Sequence, residues 1–119
     1  MAAPNLIQVT SVYGRSTSVS IGTAVTTIVS NPTSSNKSYK INSLYIANID
    51  NSDEVRVSVD FFRFGTSIRL VDRMLIAPGD TLVGMSRDTS IYLEEGDSLR
   101  AYADTNDKTH IVLSYEINT

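Results

Sequence analysis

The acidic residues of two turns are the side chains best suited to chemistry. One turn is the Glu-Glu-Gly-Asp segment 94–97, and the other is the Asp-Asn-Ser-Asp segment 50–53. Carboxylate and backbone oxygens are the ligands that Ca²⁺ accepts in proteins. Neither turn has the ligand spacing of a known calcium loop, so solvated acidic turns are the favoured interpretation and a calcium site is the alternative.

Few residues of the chain are suited to enzyme catalysis. His110 is the only histidine and the chain has no cysteine, so a metal site would have to draw its other ligands from carboxylates. Asp60 and Glu116 lie on the polar faces of predicted strands, but the sequence does not bring them together as a glycosidase pair. No nucleophile elbow, phosphate loop or dinucleotide fingerprint occurs. The sequence therefore predicts a protein that is not an enzyme and uses no cofactor.

Length and composition set the size of the fold and the class of partner. The 119 residues are 41% hydrophobic, which suits one domain with a modest core. The formal net charge is −3 and no basic run occurs, which argues against nucleic-acid binding. No apolar run approaches the roughly 20 residues that span a bilayer, and the start lacks the pattern of a signal peptide. Without cysteine, the chain suits a reducing cytoplasm.

Alternating apolar residues predict strands in most of the chain. Segment 55–61 has the cleanest alternation, with valines and Phe61 on one face and polar side chains on the other. Segment 39–49 is apolar on both faces at its centre, which indicates a central strand. The turn at 50–53 predicts that these two segments form a hairpin. Segment 110–117 alternates again and ties the end of the chain into a sheet.

Turns and breaks divide the remaining residues. Segment 67–76 fits helical spacing in part, but its neighbours favour a strand, while 13–15 is expected to interrupt the pattern. The sequence Gly-Asp-Thr-Leu at 79–82 returns as Gly-Asp-Ser-Leu at 96–99, each copy following a turn and opening a strand.

About eight short strands predict an all-β, single-domain antiparallel β-sandwich or jelly roll. We assign this domain to residues 11–119. Residues 1–10 are expected to form an N-terminal arm that is available for contact with a partner.

Aromatic side chains mark a candidate contact patch. Five of them sit inside strand patterns and are expected to be core residues or cross-strand pairs: Tyr39, Tyr45, Phe61, Tyr92 and Tyr115. Phe62 should point away from Phe61, so that Phe62, Arg63 and Phe64 form an exposed patch. The alternative is that the second sheet or a loop covers Phe62. Tyr102, between two alanines, is also predicted to face outward.

Four segments carry a resemblance to a known group of proteins. They are 9–14, 40–50, 76–80 and, above all, 90–100, whose sequence is Ser-Ile-Tyr-Leu-Glu-Glu-Gly-Asp-Ser-Leu-Arg. The chain resembles small virion structural proteins of tailed phages, of the T4-like cyanophage type, over residues 9–117. The Phe-Phe-Arg-Phe segment at 61–64 departs from that pattern, which would place more polar residues there.

The resemblance implies a non-enzymatic component of the virion, made in the cytoplasm of a host bacterium. We predict a capsid decoration or cement protein that binds the major capsid protein, as a homotrimer, and stabilises the shell. The residues expected to contact the partner are Asn5, Leu6, Ile7, Val9, Phe62, Arg63, Phe64 and Tyr102. A neck, tail or baseplate component is the first alternative. A carbohydrate- or receptor-binding module is the second, although the chain has no tryptophan.

Overall fold

A computed structural model of the chain describes residues 11–85 and 91–119. Nine strands follow one another in these residues: β1 (Val12–Ile21), β2 (Thr26–Ser30), β3 (Ser38–Asn48), β4 (Val55–Arg63), β5 (Thr66–Ile76), β6 (Thr81–Met85), β7 (Ile91–Leu93), β8 (Ser98–Ala103) and β9 (Thr109–Asn118). No helix occurs in the described part of the chain. The prediction of an all-β fold is confirmed, with nine strands in place of about eight.

The strands form two antiparallel sheets. The first sheet has the order β1-β9-β3-β6, and β7 also pairs with β3, beyond the end of β6. The second sheet has the order β2-β8-β4-β5. The inward side chains of the two sheets interdigitate in a β-sandwich, as the alternating pattern predicts.

The core lies between the sheets. β3 and β9 supply inward side chains from the middle of the first sheet, and β4 and β8 supply them from the second. The largest fully buried apolar side chains are Ile21, Ile41, Leu44, Ile46, Val55, Val57, Val59, Leu93, Leu99, Ile111 and Leu113. β3 is therefore a central strand, as its apolar sequence predicts.

Two expectations about the strands are wrong. β3 and β4 do not form a hairpin, because β3 belongs to the first sheet and β4 to the second. The turn at 50–53 reverses the chain, but each strand finds a longer partner elsewhere: β3 pairs with β9 and β4 pairs with β5. Residues 13–15 do not interrupt a strand either, since Gly14 pairs with Glu116 inside a continuous β1.

The aromatic side chains divide between the core and the outer surface. Tyr39 and Tyr115 stack with their ring centroids 5.5 Å apart, and burial raises the pKa of the Tyr39 hydroxyl. Phe61 packs against the core. Tyr45 and Tyr92 are not core residues, because both are exposed on the first sheet.

Gly22 is the glycine whose replacement should cost stability at the turn after β1. A Cβ built at Gly22 collides with the Asn106 side chain, whose Oδ1 accepts a hydrogen bond from the Thr23 amide at 2.9 Å. Gly22→Ala should lower the free energy of unfolding by about 0.5–1.5 kcal/mol, measured by urea denaturation, because the Asn106 side chain must move and its bond to the Thr23 amide is lost. Gly14→Ala is the control, because a Cβ at Gly14 meets nothing within 4 Å. Equal effects of the two substitutions would contradict the steric explanation.

Candidate functional site

The β4–β5 hairpin carries the most exposed large apolar side chain among the described residues. Phe64 and Gly65 form its two-residue loop, which Arg63 and Thr66 close as a strand pair. Both loop residues have positive φ, 52° at Phe64 and 76° at Gly65, as in a type I′ turn. Asparagine or aspartate usually occupies the first position of this turn, and a bulky residue there is strained. Phe64 is nevertheless 91% exposed.

Phe62 faces away from the core, as predicted, but another side chain partly covers it. The Arg100 guanidinium lies 3.5 Å from the centroid of the Phe62 ring, and Phe62 is half-buried. This cation–π contact connects β4 to β8 within one sheet. The cover over Phe62 is thus an arginine of its own sheet.

Arg63 is held by the turn at 94–97. Its Nε donates to Asp97 Oδ1 at 2.8 Å, and one terminal nitrogen lies 2.9 Å from Glu94 Oε2. The hydrogen bonds to Asp97 raise the pKa of the Arg63 guanidinium. The guanidinium also lies 4.9 Å from the centroid of the Phe61 ring. Arg63 therefore fixes the end of β4 immediately before Phe64.

A second arginine holds β5 against the outer face of β4. Arg69 donates to Asp60 at 2.5 Å, to Asp72 at 2.7 Å and to the Tyr102 hydroxyl at 2.9 Å. The hydrogen bond to Asp60 is the main cause of the raised pKa of Arg69. Ser58 Oγ accepts a further bond from Arg69 at 3.2 Å. Tyr102 faces outward, as predicted, but is half-buried under this network.

β5 exposes four apolar side chains, and its pairing with β4 places Ile68 and Met74 on the core-facing side of the sheet and Leu75 on the outer side. Ile68, Leu70, Met74 and Leu75 are between 42% and 54% exposed. The register between β4 and β5 shifts twice, so β5 is a bulged strand at the edge of its sheet. Bulges discourage the addition of a further strand to an edge. Contact at this edge would therefore use side chains more than backbone.

The structure separates the eight predicted contact residues into three groups. Phe64 is exposed, whereas Phe62, Arg63 and Tyr102 are half-buried and hold contacts within the chain. The other four, Asn5, Leu6, Ile7 and Val9, lie outside the described residues.

The two acidic turns use their carboxylates within the chain. Asp97 is buried and also accepts a hydrogen bond from the Glu94 amide at 2.8 Å. Asp50 accepts bonds from the amides of Asp53, at 2.6 Å, and Ser52, and the bond from Asp53 is the main cause of its lowered pKa. Within residues 11–85 and 91–119, no group of three or more histidine or acidic side chains is placed to hold a metal ion.

The other candidates for enzyme chemistry lie apart. Asp60 belongs to the second sheet and Glu116 to the first, so they do not form a carboxylate pair. His110 is exposed on β9, between Ser20 of β1 and Ala47 of β3.

Two buried asparagines, Asn31 and Asn48, bind turns of the chain in a way that the sequence does not predict. The backbone of Asn48 forms hydrogen bonds with the Gly79–Asp80 turn, and the backbone of Asn31 forms the same two bonds with the Gly96–Asp97 turn. Each side chain then donates two hydrogen bonds to main-chain carbonyls, one of them to the last residue of the strand before the turn. The asparagines are 17 positions apart, as are the two turns, but the earlier asparagine binds the later turn, so no simple repeat in the sequence reveals the pairing.

Comparisons with known proteins give a likeness of fold. No protein-family model matches the chain, and no curated protein matches its sequence. Among solved structures, a protein of the Bacillus endospore appendages, described as disulfide-linked pili, is similar over 100% of this chain and 96% of its own, with a TM-score of 0.56 and 14% identity.

A pentameric capsid protein from metagenomic phage sequences has a TM-score of 0.41 and 13% identity, over 87% of this chain and 60% of its own. No helix capable of crossing a membrane occurs in the described residues. The likeness to the appendage protein shows a shared fold. The disulfide linkage of those pili has no counterpart here, because this chain has no cysteine.

Proposed function

We propose that this chain is a virion structural protein of a tailed phage, and specifically a decoration protein that adheres to the assembled capsid. The observation that carries the proposal is Phe64. A strained, almost fully exposed aromatic residue at a hairpin tip has a cost to folding that a partner contact would explain. The resemblance of segments 9–14, 40–50, 76–80 and 90–100 to small phage virion proteins supplies the class of partner.

The mechanism is adhesion by a rigid surface. Arg63 and Arg69 hold the hairpin on the sandwich, so little freedom is lost when Phe64 enters a pocket of the shell. Burying a phenylalanine side chain contributes about 1.5–3 kcal/mol. A protein that binds only the assembled shell stabilises it by mass action. In this proposal a homotrimer binds the major capsid protein, and the arm at residues 1–10 adds to the contact.

Phe64→Asn should separate binding from folding. Asparagine suits the first loop position of a type I′ turn, so the free energy of unfolding should be unchanged or rise by about 0.5–1 kcal/mol. Loss of a central aromatic anchor should weaken binding to purified phage capsids at least tenfold. Co-sedimentation of the chain with capsids that lack it measures this affinity.

Tyr45→Ser is the matched control, because Tyr45 is an exposed aromatic residue on the opposite sheet. It should leave capsid affinity unchanged. Equal weakening by both substitutions would contradict the role of Phe64. Binding to purified tails or necks and not to capsids would replace decoration with the neck, tail or baseplate alternative.

A further inference from the structure

The edge strands of the two sheets differ in how readily they can accept a further strand. β2 and β6 have five residues each, and both pair with their neighbours through a register shift. β5 pairs with β4 through two shifts, and β7 has only three residues. β1 instead has ten residues and pairs one to one with β9 without a shift. A long, regular edge strand is the kind that pairs most readily with another chain.

The first half of β1 is exposed on both faces of its sheet. Residues 12–16 are exposed one after another, with Val12 at 56% and Tyr13 at 65%. Buried side chains of β1 occur only at its other end, where Ile21 enters the core. β1 also contains no proline, and Arg15 is its only charged residue. It therefore lacks the bulges, prolines and rows of charge that usually protect an edge strand.

The backbone groups at the open edge of β1 belong to its even-numbered residues. Ser11 and Thr119 exchange two backbone hydrogen bonds. In an antiparallel pair such exchanges recur at every second residue, so the odd-numbered residues of β1 bond to β9 and the even-numbered ones turn outward. Gly14, Ser16 and Ser18 form no bonds from these outward amides and carbonyls to another described residue. These groups are therefore available to a further strand.

The sequence Tyr13-Gly14-Arg15 is complementary to itself in an antiparallel pair. A two-fold axis at Gly14 places Tyr13 of each copy across from Arg15 of the other. These residues would form a pair without hydrogen bonds, in which the Cα atoms are about 4.5 Å apart and the side chains are in contact. An arginine against a tyrosine ring is a favourable contact. Arg15 has neither an ion pair nor an aromatic partner among the described residues.

We propose that two copies of this chain pair through the open edges of β1, antiparallel and about a two-fold axis at Gly14. The two first sheets then form one continuous sheet, with backbone bonds at Val12, Gly14 and Ser16 of both copies. A second copy is the occupant because the same surface supplies both sides of the contact. An axis at Ser16 is less favourable, since it would bring the two Arg15 side chains to diagonal positions.

This pairing is independent of the proposed capsid function. β1 lies beside β2, and β5 lies beside β6, so the edge of β1 and the β4–β5 hairpin occupy opposite sides of the sandwich. The contact therefore leaves Phe64 exposed. Its tests use the purified full-length chain and no capsid.

Ser16→Pro tests the contact at an outward-facing amide. It removes a donor from the open edge, while the bonds of β1 to β9 use the neighbouring residues. Sedimentation equilibrium over a range of protein concentrations should show that the unmodified chain dimerises. Ser16→Pro should weaken the dimer roughly tenfold or more, because each dimer loses two hydrogen bonds.

Ser67→Pro is the matched control on the edge strand β5. Ser67 is exposed, and its pair with Phe62 follows the hydrogen-bonded pair that closes the hairpin, so its amide also turns outward. This variant should dimerise as the unmodified chain does. Urea denaturation of both proline variants shows whether each is folded.

A cysteine at the axis tests the register and leaves every backbone donor in place. The chain has no cysteine, and a hydrogen-bonded antiparallel pair holds its Cα atoms about 5.5 Å apart, within reach of a disulfide. Gly14→Cys in a glutathione redox buffer should therefore yield disulfide-linked dimers. Ser18→Cys is the control, because an axis at Gly14 separates the two copies of residue 18 by about eight residues along the strands.

Three results would each overturn the proposal. The first is an unmodified chain that stays monomeric at every concentration. The second is equal dimerisation of folded Ser16→Pro and Ser67→Pro. The third is cross-linking of Gly14→Cys no faster than that of Ser18→Cys, and this result also decides the question if Ser16→Pro does not fold.

Discussion

Asn48→Asp should lower the free energy of unfolding by about 4 kcal/mol, because the buried Ile76 carbonyl and the part-buried Asp53 carbonyl would lose their donor at once. The Asn48 side-chain amide donates to the Asp53 carbonyl at 2.9 Å and to the Ile76 carbonyl at 3.0 Å. Asn48 and its bond to the Ile76 carbonyl are buried, so water cannot replace that bond. A carboxylate of the same shape would also place a negative charge against two carbonyl oxygens.

Urea denaturation with a linear extrapolation measures the effect. Asn48→Ala removes the same donors without adding a charge and should cost about 3 kcal/mol. Asn31→Ala should cost a similar amount, because its side-chain amide donates to the Lys37 and Leu93 carbonyls at 2.8 and 3.0 Å. The control is Asn51→Ala in an exposed turn, with an expected change below about 0.5 kcal/mol. The explanation fails if Asn48→Ala costs no more than this control.

The alternation along a strand made part of the candidate site predictable. Period-two spacing places Phe61 and Phe62 on opposite faces of β4, and the structure agrees. The same rule does not indicate what lies over Phe62. Arg100 reaches that ring because β8 is the neighbour of β4 and because the register places Ser98 across from Phe62. That register depends on tertiary packing, which the spacing of residues along one strand does not contain.

The wrong prediction of a β3–β4 hairpin has a related cause. The residues at 50–53 favour a reversal of the chain, and a reversal occurs. Whether the next strand returns beside β3 or crosses to the other sheet depends on which neighbour buries more apolar surface. The repeat of segment 79–82 at 96–99 could be seen in the sequence because it does not depend on neighbouring strands. Glycine and aspartate are required by the turn itself. Asn31, just after β2, and Asn48, at the end of β3, contact those turns from elsewhere in the chain.

The strained backbone of Phe64 could be predicted only in part from the sequence. Gly65, between two strand-like segments, is typical of a turn, but the positive φ of Phe64 follows from the two-residue loop length. A longer loop would have allowed ordinary backbone angles at the phenylalanine. Loop length depends in turn on the pairing of Arg63 with Thr66, so the strained conformation required the structure.

Asp97→Ala is the second substitution with a large expected effect, about 3 kcal/mol of lost stability. Asp97 has a side chain only 2% exposed, and it accepts bonds from two nitrogens of Arg63 and from the Glu94 amide. Its removal leaves a guanidinium with one exposed partner and a turn amide without its acceptor. The end of β4 should also loosen, which would speed amide hydrogen exchange at the hairpin tip.

Glu94→Ala tests whether burial is the reason. Glu94 contacts the same guanidinium at 2.9 Å, but its side chain is 61% exposed. Exposed ion pairs contribute little, so Glu94→Ala should cost less than about 1 kcal/mol and leave hydrogen exchange at the tip unchanged. Equal losses from the two substitutions would show that Asp97 acts as an ordinary surface partner. A larger loss from Asp97→Ala would mean that the buried carboxylate both closes its turn and holds the hairpin that presents Phe64.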